Sequence, residues 1–226
     1  MWNTVLGIIA TAAIAAFLTR RFRQAQQRAK EAPRRLFNEA RGLFHNAMVG
    51  EGRSHGSHRL TGEYRGHFFQ VMTVVDTLSI RKLPSLWMLV TLPEPLPLAG
   101  TLDMMMRPAA ASTFSNFDHL PEFVPTPPGF PQPAVLRSDV AGGPFPAARL
   151  SGHIEPFSNP YAKELLISPK GVRIVVQVAE ADRVRYGVFR QAEFGDVTLD
   201  AAMLRAALDY LIDLKTEIES WGKPSS

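Results

Sequence analysis

The sequence predicts an α+β fold, in which an N-terminal transmembrane helix is followed by an antiparallel β-sheet domain covered by a long C-terminal helix. Three observations predict it. The first 19 residues contain no charged side chain. Several short segments in the middle of the chain have the apolar patterns of strands separated by turn residues. Residues 198–221 carry a wide apolar stripe with helical spacing. We expect a sheet of about five to seven strands.

The N-terminal segment, residues 2–19, is an uncharged run that is followed directly by arginines. As a helix rising ~1.5 Å per residue it would span roughly 27 Å, close to the apolar thickness of a bilayer. A cleaved signal peptide would carry its positive charge before the apolar run, and a buried core helix is the other competing interpretation. We predict a membrane anchor over residues 1–19. The side chains expected to hold it are Trp2, Leu6, Ile9, Ile14, Phe17, Leu18, Arg20, Arg21 and Arg23.

Charge is distributed unevenly along the chain. Residues 1–41 hold eight Arg or Lys against two Glu, a net charge of +6, and the remainder holds 17 basic and 19 acidic side chains, a net charge of −2. Positive charge on the C-terminal flank of a span places that flank in the cytoplasm. We therefore expect a single-pass protein of the inner (cytoplasmic) membrane with a cytoplasmic C-terminal domain. Because that domain is slightly acidic, the pI of about 9.6 does not indicate nucleic-acid binding.

The juxtamembrane segment, residues 20–48, is basic and rich in helix-forming residues. Pro33 should end or kink a first helix. A second helix is predicted over residues 34–48, because its apolar residues fall on one helical stripe. That stripe either lies in the membrane interface or packs on the sheet of the domain.

The remaining domain, residues 49–226, contains two clear hairpins. Arg65-Gly66 supplies the turn of the first, and Ser168-Pro169-Lys170-Gly171 has the proline and glycine of a type I turn in the second. The predicted elements are strands at 59–64, 67–75, 86–92, 101–106, 164–167, 172–178 and 185–194, a candidate strand at 134–138, short helices at 112–123 and 147–154, and a long helix at 198–221.

A proline-rich excursion covers residues 121–146 and holds eight of the 18 prolines. So long a segment with little regular structure is unusual inside a compact domain. It is either an ordered excursion packed through Phe123, Phe130 and Phe145, or a loop that binds a partner.

Residues with catalytic potential are few. The absence of cysteine excludes disulfides and thiolate chemistry. The HxxH pair His55 and His58 lacks the further ligands of a zinc site. Ser151, His153 and Glu155 are close in sequence, but no GxSxG motif accompanies them. We therefore predict no catalytic, metal-binding or cofactor-binding residue, and keep a hydrolase with a site around His153, His119 or His67 as an alternative.

Two short motifs mark the hairpins of the domain, Gly62-Glu63-Tyr64-Arg65-Gly66 and a later segment running from Lys163 to Ile174. Together with an N-terminal span and a basic stalk, they resemble a set of bacterial membrane-anchored proteins of unknown function. The resemblance implies a hairpin-rich domain ending in a C-terminal helix. It implies no activity, so no functional residue follows from it.

Three classes of function fit these features: a non-catalytic interaction module or accessory subunit, a hydrolase, and a domain that senses a small molecule or lipid. We favour the first, with a protein partner in or at the membrane, because a tethered domain meets membrane-bound partners at a raised effective concentration. The oligomeric state is not indicated. The candidate partner-contact residues are Leu36, Phe37, Phe44, Phe114, Phe117, Phe123 and Phe130.

Overall fold

The computed structural model describes residues 35–52, 57–76, 83–108, 112–183 and 197–221, with isolated positions at 17, 19, 20, 186, 192 and 194. These residues form an α+β fold with a large antiparallel sheet and a C-terminal helix, as predicted. The predicted anchor over residues 1–19 and the stalk up to residue 34 lie almost entirely outside the described residues. Among the residues that are described, no helix is both long and apolar enough to cross a bilayer.

Within the described residues the sheet has nine strands, which pair in the order β1-β2-β3-β4-β9-β8-β5-β7-β6, and every pairing is antiparallel. The strands are β1 His45–Glu51, β2 His58–Tyr64, β3 His67–Asp76, β4 Ser85–Leu92, β5 Leu102–Met106, β6 Glu122–Val124, β7 Ala134–Ser138, β8 Ala162–Ser168 and β9 Gly171–Glu180. Both predicted hairpins are therefore confirmed, as β2–β3 and β8–β9. The strands predicted near 86–92, 101–106 and 134–138 are confirmed as β4, β5 and β7.

One face of the sheet is covered by the C-terminal helix, Ala201–Trp221. Asp200 begins the helix, because its Oδ1 accepts a 2.7 Å hydrogen bond from the backbone N–H of Ala202. The predicted apolar stripe faces the sheet, and six of its side chains are buried: Leu204, Ala207, Leu208, Leu211, Leu214 and Ile218. This interface forms the main hydrophobic core.

The opposite face carries a smaller core under a chain segment that we call the strap, residues 112–120. Phe114 of the strap packs on Trp87 of β4 with ring centroids 5.3 Å apart. Phe117, in the short 3-10 helix Phe117–His119, is also buried here. The short helix predicted over residues 112–123 is found only at Phe117–His119, and residues 122–124 instead pair with β7 as strand β6.

The prediction of one helix over residues 34–48 is also wrong. A 3-10 helix at Ala40–Leu43 is followed at once by strand β1. Pairing with β2 overrides the helical pattern of the sequence. Leu36, Phe37 and Phe44 are buried in the main core, so this stripe packs on the domain.

The proline-rich excursion is ordered and contributes two strands, β6 and β7. Phe130 and Phe145 are buried in the main core, whereas Phe123 is exposed. The strand predicted at 185–194 lies mostly outside the described residues. At Tyr186 the backbone N–H donates to the carbonyl of Asp182, which is helical spacing.

Candidate functional site

The face under the strap carries a row of side chains that crosses five neighbouring strands. Residues directly opposite one another in adjacent antiparallel strands point to the same face of a sheet. The residues in this row, from the β6 edge inward, are Phe123, Arg137, Asp103, Leu166 and Arg173. The row therefore joins an exposed aromatic side chain at the edge to charged groups inside the domain.

Two carboxyl groups are buried together on this face, Asp103 within the row and Glu164 two residues before Leu166 on the same strand. Asp103 of β5 is 1% exposed and Glu164 of β8 is fully buried. Nη2 of Arg173 lies 3.1 Å from Oε2 of Glu164, and the hydroxyl of Ser115 in the strap donates to Oε1. Glu164 therefore has partners suited to an ionised carboxylate.

Asp103 neighbours Glu164 across the pairing of β5 with β8 and has a different environment. Burial, then the neighbouring charge of Glu164, raises the pKa of Asp103 well above its usual value. Its Oδ1 is buried with no hydrogen-bond partner in the described part of the chain. This raised pKa favours the protonated form of Asp103, because two neighbouring ionised carboxylates would repel each other in a low-dielectric site.

Arg137 connects the acid pair to the exposed edge. Its guanidinium lies 4.2 Å from the ring centroid of Phe123 and 5.3 Å from that of Phe117. Its Nη1 donates to the backbone carbonyls of Asp118 and Leu120, at 3.2 and 3.1 Å. These contacts hold the strap against β7 and fix the orientation of Phe123.

Of the seven predicted partner-contact residues, only Phe123 has an exposed side chain, with 65% of its surface accessible. The other six are buried within the domain: Leu36, Phe37, Phe44, Phe114, Phe117 and Phe130. Sequence reasoning missed the acid pair and Arg137. The signal for them was a charged residue inside an otherwise apolar strand, as in Leu102-Asp103-Met104 and Leu136-Arg137.

Of the histidines considered for catalysis, His153 contacts the C-terminal helix, and His119 is exposed in the strap. His153 Nε2 lies 2.5 Å from Glu217 of the C-terminal helix, and the hydroxyl of Ser151 donates to the carbonyl of Ala148. Ser151 and His153 therefore do not form a nucleophile–base pair. Within the described ranges, no three His, Asp or Glu side chains are grouped to hold a metal ion.

His67 belongs to a second polar network between the sheet and the helix. Its Nδ1 lies 2.9 Å from Oε1 of Glu94, and Lys215 Nζ lies 3.1 Å from Oε2 of the same carboxylate. Burial alone would raise the pKa of Glu94, but the hydrogen bonds with His67 and Lys215 outweigh it and lower that pKa. These contacts indicate a structural network.

Comparison of the chain with protein families, with curated proteins and with solved structures found no match.

Proposed function

We propose that this chain is a membrane-tethered, non-catalytic interaction module, an accessory subunit that binds a protein partner through the edge around Phe123. The observation that carries the proposal is the exposure of Phe123 on an ordered edge strand, with Arg137 packed against its ring. An aromatic side chain that is already held in place loses little conformational entropy on binding. Aromatic residues and arginine are also enriched at the centres of protein interfaces.

The shape of this edge favours recognition through side chains. Strand β6 has only three residues and lies between two exposed prolines, Pro121 and Pro125. Proline has no backbone N–H, so added strands pair poorly with such an edge. We therefore expect the partner to cover Phe123 with an apolar pocket and not to add a strand to the sheet.

The uncharged run at residues 2–19 and the arginines after it support the membrane tether in this proposal. A tether confines the domain to a layer near the bilayer, which raises its effective concentration for membrane proteins in the same bilayer. A weak contact centred on one aromatic residue is then sufficient for assembly. The proposed location is the cytoplasmic face of the inner membrane.

The test is co-purification of the full chain from membranes in mild detergent, with partners identified by quantitative mass spectrometry. Phe123→Ser should abolish enrichment of one defined membrane protein while leaving the far-ultraviolet circular dichroism spectrum unchanged. The matched control is Tyr161→Ser, which removes another exposed aromatic side chain outside this edge. Phe130→Ser is unsuitable because Phe130 is buried in the core. Equal enrichment with the Phe123 and Tyr161 variants would rule out this surface.

A further inference from the structure

The strap, residues 112–120, is held on the sheet by contacts that converge on the buried acid pair. The hydroxyl of Ser115 donates to Glu164 and also accepts a 3.1 Å hydrogen bond from the backbone N–H of Phe117. Ser115 is thus the polar link between the acid pair and the strap backbone. On either side of it, Phe114 packs on Trp87 and Phe117 lies beside Arg137.

Burial and the charge of Glu164 outweigh the opposing effects of Arg173 and of the Ser115 hydroxyl on Asp103, so a proton on Asp103 is favoured. Glu164 on β8 faces Arg173 on β9, which offsets its negative charge. Arg137 on β7, directly opposite Asp103, directs its Nη1 to carbonyls of the strap. The strap itself contributes the exposed Asp118 and His119, besides the neutral Ser115. A second negative charge, on Asp103, would have an unpaired Oδ1 within the described residues.

We propose that the strap is a proton-controlled cover, which stays closed while Asp103 and Glu164 share one proton and opens when that proton is lost. Ionised Asp103 needs water, because burial and the charge of Glu164 outweigh the favourable effects of Arg173 and of the Ser115 hydroxyl on its carboxylate. Water reaches it when Ser115 releases Glu164 and the strap lifts, which separates Phe114 from Trp87. This inference does not depend on the proposed partner-binding function.

The direction of the pH dependence follows from the position of Asp103. Burial and the charge of Glu164 raise its pKa in the closed state, whereas in the open state water surrounds the carboxyl and its pKa falls toward about 3.9. The closed state therefore binds the proton more tightly. The free energy by which this proton favours the closed state over the open state is fully present below the open-state pKa. It is lost as pH rises through the closed-state pKa.

The experiment uses the full chain in a neutral detergent and follows tryptophan emission and iodide quenching from mildly acidic to alkaline pH. The chain has three tryptophans, and subtracting the signal of Trp87→Phe isolates Trp87. We expect Trp87 emission to shift to longer wavelength and its quenching to increase in one transition. The far-ultraviolet circular dichroism spectrum should stay constant, since only the strap moves.

Asp103→Asn is the key variant, because asparagine resembles the protonated acid and cannot ionise. It should keep Trp87 shielded at every pH. Ser115→Ala should move the transition to lower pH by weakening the closed strap, and it provides the test if Asp103→Asn does not fold. The proposal fails if the emission and quenching of Trp87 do not change with pH in the native chain, or if Asp103→Asn keeps the transition. It also fails if Ser115→Ala leaves the midpoint in place, or if the circular dichroism signal is lost in the same step.

Discussion

The hydroxyl of Tyr64, at the end of β2, donates a 3.0 Å hydrogen bond to the carboxylate of Asp209 in the C-terminal helix. Arg65, in the adjoining turn, contacts the same carboxylate at 2.9 Å. Burial and the bond to Asp209 raise the pKa of Tyr64. The first hairpin and the last helix are therefore joined by a polar contact at the boundary of the main core.

Replacing Tyr64 by phenylalanine should lower the free energy of unfolding by about 1 kcal/mol, because it deletes this hydrogen bond and keeps the ring. Urea denaturation followed by circular dichroism measures the change. Tyr161→Phe, at an exposed tyrosine, is the control and should have little effect. Equal stability of the two variants would show that the Tyr64–Asp209 bond contributes nothing in solution.

Introducing a charge beneath the C-terminal helix should unfold the domain. Leu208 and Leu211 are fully buried against the sheet, so Leu208→Asp or Leu211→Asp places an unpaired carboxylate in an apolar interface, at a cost of several kcal/mol. Thermal unfolding of the full chain tests this. Ala206→Asp, on the exposed side of the same helix, should retain the native melting temperature. A peripheral helix would tolerate all three changes.

Gly171 should not tolerate alanine. Its φ of +133° is unfavourable for other residues, and an added Cβ would lie 2.1 Å from the backbone oxygen of Leu92. Gly66 is the matched control, because its φ is +82° but a Cβ there meets nothing within 4 Å. Gly66→Ala should cost about 1–2 kcal/mol of backbone strain, and Gly171→Ala clearly more. Similar midpoints in urea for the two variants would contradict the close approach of the β8–β9 turn to β4.

Removing the charge of Glu94 should lower the free energy of unfolding at neutral pH but not in acid. The pKa of Glu94 is lowered in the folded state, so its contribution is present above the unfolded value of about 4.3 and is lost as pH falls through the folded value. Glu94→Gln should cost about 1 kcal/mol or less at neutral pH, because the site is partly exposed. The difference in melting temperature between Glu94→Gln and the native chain should be measurable in neutral buffer and should disappear in acidic buffer. Glu155→Gln, at an exposed position, should show no such pattern.

The predicted topology places Ser226 in the cytoplasm. Most of the basic residues near the uncharged run follow it within about 17 positions, which orients a span by the positive-inside rule. Alkaline phosphatase fused after Ser226 should therefore be inactive in a bacterial host, whereas a fluorescent protein at the same place should fold and emit. An active phosphatase fusion would mean that the domain lies on the other side of the membrane.

Sequence reasoning recovered the parts of the fold that local chemistry determines. The β8–β9 hairpin has Pro169 and Gly171 at the positions its turn requires, and the C-terminal helix has a continuous apolar stripe. Strands β1 and β6 were missed because pairing with the next strand, and not their own residue pattern, defines them. Strand β1 carries a helical pattern that its partner β2 overrides, and β6 is too short to show any periodicity.

The acid pair was missed for a related reason. Asp103 and Glu164 lie far apart in the sequence, and only the pairing of β5 with β8 brings them together. Asp103 has no motif around it, and the short motif from Lys163 to Ile174 that contains Glu164 implies no activity. The same holds for Arg137, which meets Phe123 through the β6–β7 register. Phe123 was predicted as a partner contact because the local sequence shows an aromatic residue among prolines. Its exposure depends on which face of the edge strand it occupies, which the local sequence does not show.

The order of strands in the sheet also has a consequence for synthesis of the chain. Strand β4 is central, but its partner β9 is made only after β5 to β8 have left the ribosome. The β4 edge of the β1–β4 meander is apolar and stays unpaired until β9 is made. At a translation rate of about 5–20 residues per second this takes several seconds. The C-terminal helix that covers one face of the sheet is made after β9. Nascent chains of this protein are thus expected to need shielding by a chaperone that recognises extended apolar segments, up to the moment at which β9 closes the sheet.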